Sequence, residues 1–161
     1  MEQQPVQVEQ QENKGEKFLD FNYRDRTFHI MKQGTPFPDG GEFVKLSVID
    51  PITKQSLGSF DGGLVKDKKQ RTHYQAWGVG RDVYRDSEEY VPGLMREAIA
   101  QMVGRGKINE WKSSTSLSAD SMYMYEKLLQ RAQEKDSRFI AKRTSSWTRM
   151  FQSLQYTLLS K

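Results

Sequence analysis

The chain has 161 residues and no cysteine, and its 35% hydrophobic and 29% charged residues are typical of a single globular domain. The absence of cysteine excludes disulfides, thiolate nucleophiles and cysteine-ligated zinc. Residues 101–161 carry 11 Lys and Arg against 5 Asp and Glu, so an acidic partner would be attracted to that end of the chain.

Residues 1–17 are rich in glutamine and glutamate and contain no aromatic residue. Such a segment cannot bury enough apolar surface to offset the entropy of ordering it. We therefore expect a disordered tail over residues 1–17 and one domain over residues 18–161. No leader peptide is visible, and no apolar run reaches the roughly 18 residues of a membrane span, so we expect a cytoplasmic protein without a membrane partner.

Alternating apolar residues predict antiparallel strands in the first half of the chain. A loop rich in glycine and proline is expected over Met31–Glu42, and a charged turn over Lys66–Arg71. One strand or a pair of short strands is expected over residues 18–31. Further strands are expected over residues 42–51, 55–67 and 72–82, and these three form an antiparallel meander.

The hydrophobic period then changes to that of a helix. Apolar residues from Val91 to Val103 recur at alternating spacings of three and one, and Gly104 and Gly106 end the pattern. A strand is expected over residues 108–117. A second helix follows, with Ser118 as its N-cap and Asp120 in its first turn.

Two final strands are expected over residues 138–143 and 154–160, joined by a connection over residues 144–153. The element order is thus β-β-β-β-α-β-α-β-β. This order predicts an α+β fold of the mixed α/β three-layer kind, in which a strand meander leads into a β-α-β-α-β-β unit around one core.

Two segments flanking the strand at residues 108–117 resemble the GNAT superfamily of N-acetyltransferases. LMREAI (Leu94–Ile99) is similar to that family's helix after the cofactor loop, and MYEKL (Met124–Leu128) is similar to its next helix. The resemblance extends over roughly residues 72–130. It implies an acetyltransferase-like fold, acetyl-CoA as the cofactor and an unidentified amine or protein as the acceptor.

The resemblance also implies roles for individual residues. Tyr125 matches the tyrosine that protonates the departing thiolate, and Asp82, at the end of the central strand, is the candidate general base. Ser118 stands where the family has an asparagine. The remaining expected cofactor contacts are the strand backbone at Gly78, Val79 and Gly80 and the phosphate contacts Arg85 and Gly93.

The chain departs from the family pattern at the phosphate-binding loop. The family's loop glycines fall on Glu88 and Tyr90, so that Asp86, Glu88 and Glu89 place three carboxylates where a diphosphate would bind. Like charges at 4 Å repel by about 1 kcal/mol even in water. The short segment Met31–Glu42 also leaves no room for the helices that shape the family's acceptor site.

Other interpretations stay open at this point. Tyr125 has the helical spacing of a core residue, and two glycines at Gly78 and Gly80 suit a β-bulge as well as a cofactor contact. The chain can also be a catalytically inactive module that acts through protein contacts. His29 and His73 are far apart in sequence, so no metal site is expected.

A nucleic-acid partner is the remaining alternative. The segment Arg138–Arg149 interleaves aromatic residues with cations, a pattern that can bind a single strand by stacking and charge. The residues concerned are Arg138, Phe139, Lys142, Arg143, Trp147 and Arg149. The sequence does not indicate the oligomeric state.

Overall fold

The computed structural model describes residues 15–148 and 151–161. Within these ranges the chain forms eight strands and two helices. The strands are β1 (Glu16–Tyr23), β2 (Arg26–Pro36), β3 (Glu42–Ile49), β4 (Ser56–Lys66), β5 (Thr72–Arg81), β6 (Glu110–Lys112), β7 (Phe139–Thr148) and β8 (Phe151–Ser160). The helices are α1 (Leu94–Gly104), between β5 and β6, and α2 (Ala119–Ala132), between β6 and β7.

All the described strands belong to one sheet, in the order β1-β2-β3-β4-β5-β6-β8-β7. Neighbours are antiparallel except β5 and β6, which are parallel and are joined through α1. Parallel strands need such a crossover because the chain leaves the first strand at one end of the sheet and must enter the second strand at the opposite end. The parallel pairing is short, since only His73–Gln75 pairs with Glu110–Lys112.

The core lies on one face of the sheet. Burial alternates along β3, where Val44 and Leu46 are buried and Lys45 between them is exposed. Both helices cover the same face: Met95 of α1 lies against Gly58 of β4, and α1 and α2 contact each other. The described part of the protein is therefore a sheet with one helical layer.

The predicted fold class is wrong. The structure is a β-rich fold dominated by a mixed eight-stranded sheet, and its two described helices have only 11 and 14 residues. It is not the acetyltransferase-like, three-layer α+β arrangement that the element order predicted. The prediction failed because hydrophobic period indicates the type of an element but not the side of the sheet on which it packs.

Several strand boundaries also differ from the predictions. The expected single strand or short pair at residues 18–31 is the hairpin β1–β2, and β2 continues to Pro36 into the expected loop. β1 begins at Glu16, so the last two residues of the expected tail pair with β2. Residues 1–14 of that tail lie outside the described residues.

At the other end of the chain, β7 and β8 extend through most of the expected connection over residues 144–153. The sequence did not predict this extension because Thr144, Ser145 and Ser146 are all exposed. A strand with solvent on both faces lacks the alternation of apolar and polar residues by which strands are predicted. The expected strand over residues 108–117 is shortened to the three residues of β6.

The helix predictions were more accurate. Ser118 caps α2 as expected, because its Oγ accepts a hydrogen bond from the Ser121 N–H at 3.1 Å. α1 starts at Leu94 rather than Val91, since the preceding Gly93 has a left-handed φ of 78° that a helix cannot contain. Neither described helix is long and apolar enough to cross a bilayer.

An aromatic cluster fixes α2 against the sheet. The ring of Trp111 on β6 lies 5.0 Å from Phe60 in an edge-to-face arrangement and 4.7 Å from Tyr74. The indole N–H of Trp111 donates to the hydroxyl of Tyr125 on α2 at 2.9 Å. Because Trp111 and Tyr125 are both almost fully buried, this contact sets the position of α2 over β6.

Candidate functional site

The candidate site is a cleft between the C-terminal end of β5 and the N-termini of the two helices, beyond the point where β5 and β6 separate. Pairing of the two strands stops at Gln75 and Lys112, whereas β5 continues to Arg81. Beyond Gln75, β5 pairs with β4 on one side, and no described strand pairs with its other side. Part of the β5 backbone therefore presents unpaired N–H and C=O groups to the cleft.

A glutamine side chain marks the point of separation. Nε2 of Gln75 donates to the carbonyl oxygens of Ala76 at 3.1 Å and Ser113 at 3.0 Å. Ser113 in turn donates its backbone N–H to the Tyr156 carbonyl at 2.8 Å, which ties the end of β6 to β8. The side-chain amide thus takes the place of the next backbone pair and holds the two strands apart.

A β-bulge in β5 adds to the separation. Asp61 pairs with Gly78 and Gly62 pairs with Ala76, so Trp77 is an extra residue on β5. Bulges bend the strand and increase its twist. The sequence was compatible with either a bulge or a cofactor contact at Gly78 and Gly80. The structure has the bulge at Trp77, directly beside Gly78.

The cleft has a volume of about 780 Å³ and a strongly cationic lining. Four arginines line it, whereas Asp120 is the single carboxylate among the described lining residues. Apolar side chains such as Val79, Met95 and Met124 supply much of the remaining surface. The arginines are Arg24, Arg81, Arg85 and Arg96.

The N-termini of both helices face this cleft. Gly93, Leu94 and Met95 line it at the start of α1, and Ser118 and Ser121 line it at the start of α2. The first turn of α1 has no side-chain cap among the described residues. Uncapped amides and the positive end of a helix dipole both favour an anion at this position.

Gly93 is required by the geometry at the start of α1. Its φ of 78° is strained for other residues, and a Cβ at this position would lie 2.6 Å from the Tyr23 hydroxyl oxygen. That hydroxyl donates to the carbonyl oxygen of Pro92 at 3.0 Å. The close packing brings the β5–α1 loop and β1 together at the edge of the cleft.

The predicted cofactor residues are largely brought together. Val79, Arg85, Gly93 and Ser118 all line the cleft. Gly78 and Gly80 flank Val79 on β5, and the space next to each is open, since a Cβ there would meet no atom within 4 Å. No neighbouring part of the protein therefore requires glycine at positions 78 and 80.

The acidic side chains of the β5–α1 loop lie outside the wall of the cleft. Asp86, Glu88 and Glu89 are all exposed, and none of the three lines the cleft. Glu89 instead accepts a hydrogen bond from the Ser87 hydroxyl at 3.1 Å. These carboxylates are therefore not part of the cleft wall, and their repulsion of a diphosphate stays a prediction.

The two predicted catalytic residues lie elsewhere. Tyr125 is 2% exposed, its ring stacks on Tyr156 at 5.3 Å, and burial raises the pKa of its phenol above the usual value. Asp82 is exposed and accepts a hydrogen bond from the Ser56 hydroxyl at 2.6 Å. Neither side chain lines the cleft, and their catalytic roles stay predictions.

Other lining residues were missed by the sequence reasoning. Arg81 is the last residue of β5 and precedes Asp82, the predicted general base. Arg96 lies in the first turn of α1. Asp120 was interpreted only as a helix-dipole residue, yet its Oδ2 lies 2.9 Å from Nη2 of Arg85 and 3.3 Å from Nη2 of Arg81. A signal was present, since arginines at a strand end and at a helix start commonly bind anions.

The basic segment near the C-terminus offers less to a nucleic acid than its sequence suggested. Phe139 is buried in the core, and Arg143 is paired with Glu126 of α2. Lys142 is exposed on β7. Arg149 and the side chain of Trp147 lie outside the described residues. Nucleic-acid binding stays a prediction.

Comparison with known proteins adds no family assignment. No protein-family model matches the chain, and no significantly similar sequence is found among curated proteins. Among the described residues, no group of three His, Asp or Glu side chains is arranged to hold a metal ion. The functional argument therefore depends on the geometry and charge of the cleft.

Proposed function

We propose that the protein is an acetyl-CoA-dependent N-acyltransferase and that the cleft between the end of β5 and the two helix N-termini binds the CoA portion of the donor. The observation that carries the proposal is the open backbone edge of β5 beyond Gln75, which lies beside two helix N-termini and four arginines. This combination suits a ligand with an extended amide-containing arm and a strongly anionic end.

The extended arm fits the edge of β5. Pantetheine contains two secondary amides, and a strand edge binds such groups through the hydrogen bonds that another strand would make. Val79 gives this part of the cleft an apolar wall. Because Gly78 and Gly80 leave open space beside the strand, a ligand can approach the backbone closely there.

The anionic end fits the region between the helices. Phosphate oxygens accept hydrogen bonds from the backbone amides at a helix N-terminus and from the forked guanidinium of arginine. Arg81 and Arg85 lie near α2, and Arg96 belongs to α1. The volume of about 780 Å³ lies within the range of ligand pockets in proteins.

Acetyl-CoA, when bound, would supply an acyl group that its thioester activates toward an amine. The protein's own contribution is then to orient that group along β5 and to restrict water with the apolar side chains of the cleft. Tyr125 can donate its proton only to a sulfur within hydrogen-bond distance of its buried hydroxyl. A cytoplasmic location is part of this proposal and rests on the sequence alone.

The proposal is tested by titrating CoA and acetyl-CoA into the protein by calorimetry, with amide chemical shifts recorded in parallel. We expect saturable binding that shifts the amides of residues 78–80 and 93–96. Arg85→Gln should weaken binding about tenfold, since a charged hydrogen bond is worth roughly 1.5 kcal/mol. Lys142→Gln removes the same charge outside the cleft and serves as the control. No binding at millimolar CoA would exclude the proposal.

A second candidate is an acyl-CoA-binding module without catalytic activity. It is favoured by the positions of Tyr125 and Asp82, which both lie outside the set of residues lining the cleft. The two candidates differ in turnover. Release of free CoA thiol from acetyl-CoA in the presence of a panel of amines supports the transferase, whereas saturable binding with no amine-dependent release supports the module.

A further inference from the structure

Asp120 holds the two arginines that an anionic ligand would use at the α2 side of the cleft. A single carboxylate oxygen, Oδ2, lies 2.9 Å from Arg85 and 3.3 Å from Arg81. These arginines come from the β5–α1 loop and the end of β5, whereas Asp120 belongs to the first turn of α2. The pairs therefore connect three separate segments across the mouth of the cleft.

The environment of Asp120 resembles that of a bound anion. It lies at the positive end of the α2 dipole, beside the Ser118 cap. Arg81 also contacts Tyr90, with the guanidinium carbon 5.7 Å from the ring centroid. The protein thus supplies its own negative group at a position formed by two guanidinium groups and a helix N-terminus.

We propose that Asp120 is an intramolecular competitor for the anionic end of the ligand and reduces the affinity of the cleft for phosphate groups. This inference rests on the proposed function, because it assumes that the ligand's phosphates use Arg81 and Arg85. The side chain of Asp120 is 66% exposed, so it can swing away from the arginines into solvent. A ligand phosphate then replaces one carboxylate with a group of higher charge and more acceptor atoms.

The competing explanation is that Asp120 only positions the arginines. The two explanations differ in sign: a competitor weakens phosphate binding, whereas a positioning residue strengthens it. Asp120→Asn keeps the size of the side chain and removes its charge. For a competitor we expect the variant to bind CoA about threefold to tenfold more tightly, since exposed ion pairs are worth up to roughly 1 kcal/mol each.

The experiment uses ligands that share the pantetheine arm and differ in charge. Dissociation constants for pantetheine, 4′-phosphopantetheine and CoA are measured by calorimetry at about 0.15 M salt, where exposed charges outside the cleft are screened, for the wild-type and Asp120→Asn proteins. Asp120→Asn should not change the affinity for uncharged pantetheine and should increase the affinity for both phosphorylated ligands. Asp86→Asn, which removes an equal charge from an exposed residue outside the cleft, should leave each affinity within about twofold.

Loss of the arginines provides the second arm of the test. In a protein that already carries Arg81→Gln and Arg85→Gln, Asp120→Asn should increase the affinity for CoA less than it does in the wild type, because the competition is for those two side chains. Weaker CoA binding by Asp120→Asn, or an equal gain from Asp86→Asn, overturns the inference while leaving the proposed function intact. If neither wild type nor variant binds CoA at millimolar concentration, the proposed function fails and the inference fails with it.

Discussion

The indole N–H of Trp111 donates a hydrogen bond to the hydroxyl oxygen of Tyr125 at 2.9 Å, and both residues are at most 2% exposed. This bond joins β6 to α2 inside the core. A buried donor that loses its acceptor costs about 1–3 kcal/mol. Tyr125 therefore has a structural role that does not depend on any catalytic role.

We predict that Tyr125→Phe lowers the free energy of unfolding by about 1–3 kcal/mol, because the Trp111 N–H is left without its acceptor. Urea denaturation measures the change. Tyr123→Phe on the same helix is the matched control, since Tyr123 is 62% exposed and its replacement should change stability by less than about 0.5 kcal/mol. Equal effects of the two substitutions would contradict the assignment.

His73 should give the protein a pH-dependent contribution to stability. Its Nε2 lies 2.9 Å from Asp67 and its Nδ1 lies 2.9 Å from Glu110, and these two carboxylates raise the pKa of the imidazole. A raised folded-state pKa means that this stabilisation is complete below the unfolded value of about 6.5. It is lost as the pH rises through the folded-state pKa.

We therefore predict that the difference in unfolding free energy between wild type and His73→Gln is largest at about pH 5.5 and shrinks toward about pH 9. Urea denaturation at a series of pH values measures the difference. Asp67→Asn should reduce its pH dependence, because one of the two carboxylates is removed. A difference that grows with pH would contradict the sign of the argument.

Local sequence signals predicted the helices well because those signals act over a few residues. The apolar spacing from Leu94 to Val103 and the Ser118 cap depend on neighbouring positions along the chain. The ion pair between Arg85 and Asp120 joins residues 35 positions apart. No local pattern indicates such a contact, so the charge of the cleft could not be derived from the loop sequence.

Tyr125 illustrates the same limit in the core. Its helical spacing with Met122 and Leu129 predicts a buried face. The structure buries Tyr125 together with Leu128, whereas Met122 and Leu129 are only partly buried. The spacing does not show that the hydroxyl meets Trp111, which lies on a different element. Likewise, the alternation along β3 indicates one buried face but does not show that both helices pack on it. The predicted number of layers, three, was therefore wrong.

Gly93 and Gly80, two of the three glycines predicted to contact a cofactor, should respond differently to substitution. We predict that Gly93→Ala destabilises the protein by about 1–3 kcal/mol, because its φ is 78° and the new Cβ would lie 2.6 Å from the Tyr23 hydroxyl oxygen. Gly80→Ala should stay within about 0.5 kcal/mol of wild type, since no atom lies within 4 Å of its Cβ position. Thermal and urea unfolding of the two variants check this contrast, and a larger loss for Gly80→Ala would reverse it.

The separation of β5 and β6 should depend on Gln75. Its Nε2 donates to the carbonyl of Ser113 at 3.0 Å, and Gln155 donates to the same oxygen at 3.0 Å. We predict that Gln75→Met lowers the free energy of unfolding by about 1 kcal/mol, the typical net value of one hydrogen bond. Faster amide hydrogen exchange at residues 76 and 113 should accompany the loss, because the amide no longer fixes the ends of the two strands.

The double variant Gln75→Met, Gln155→Met gives the sharper measurement. Either glutamine alone still supplies the Ser113 carbonyl with a side-chain donor, whereas the double variant removes both. Since an unsatisfied buried acceptor costs more than a lost bond, the combined destabilisation should exceed the sum of the single effects by about 0.5–1 kcal/mol. Strictly additive effects would show that water or a rearranged side chain satisfies the carbonyl, and that Gln75 does not determine where the strands part.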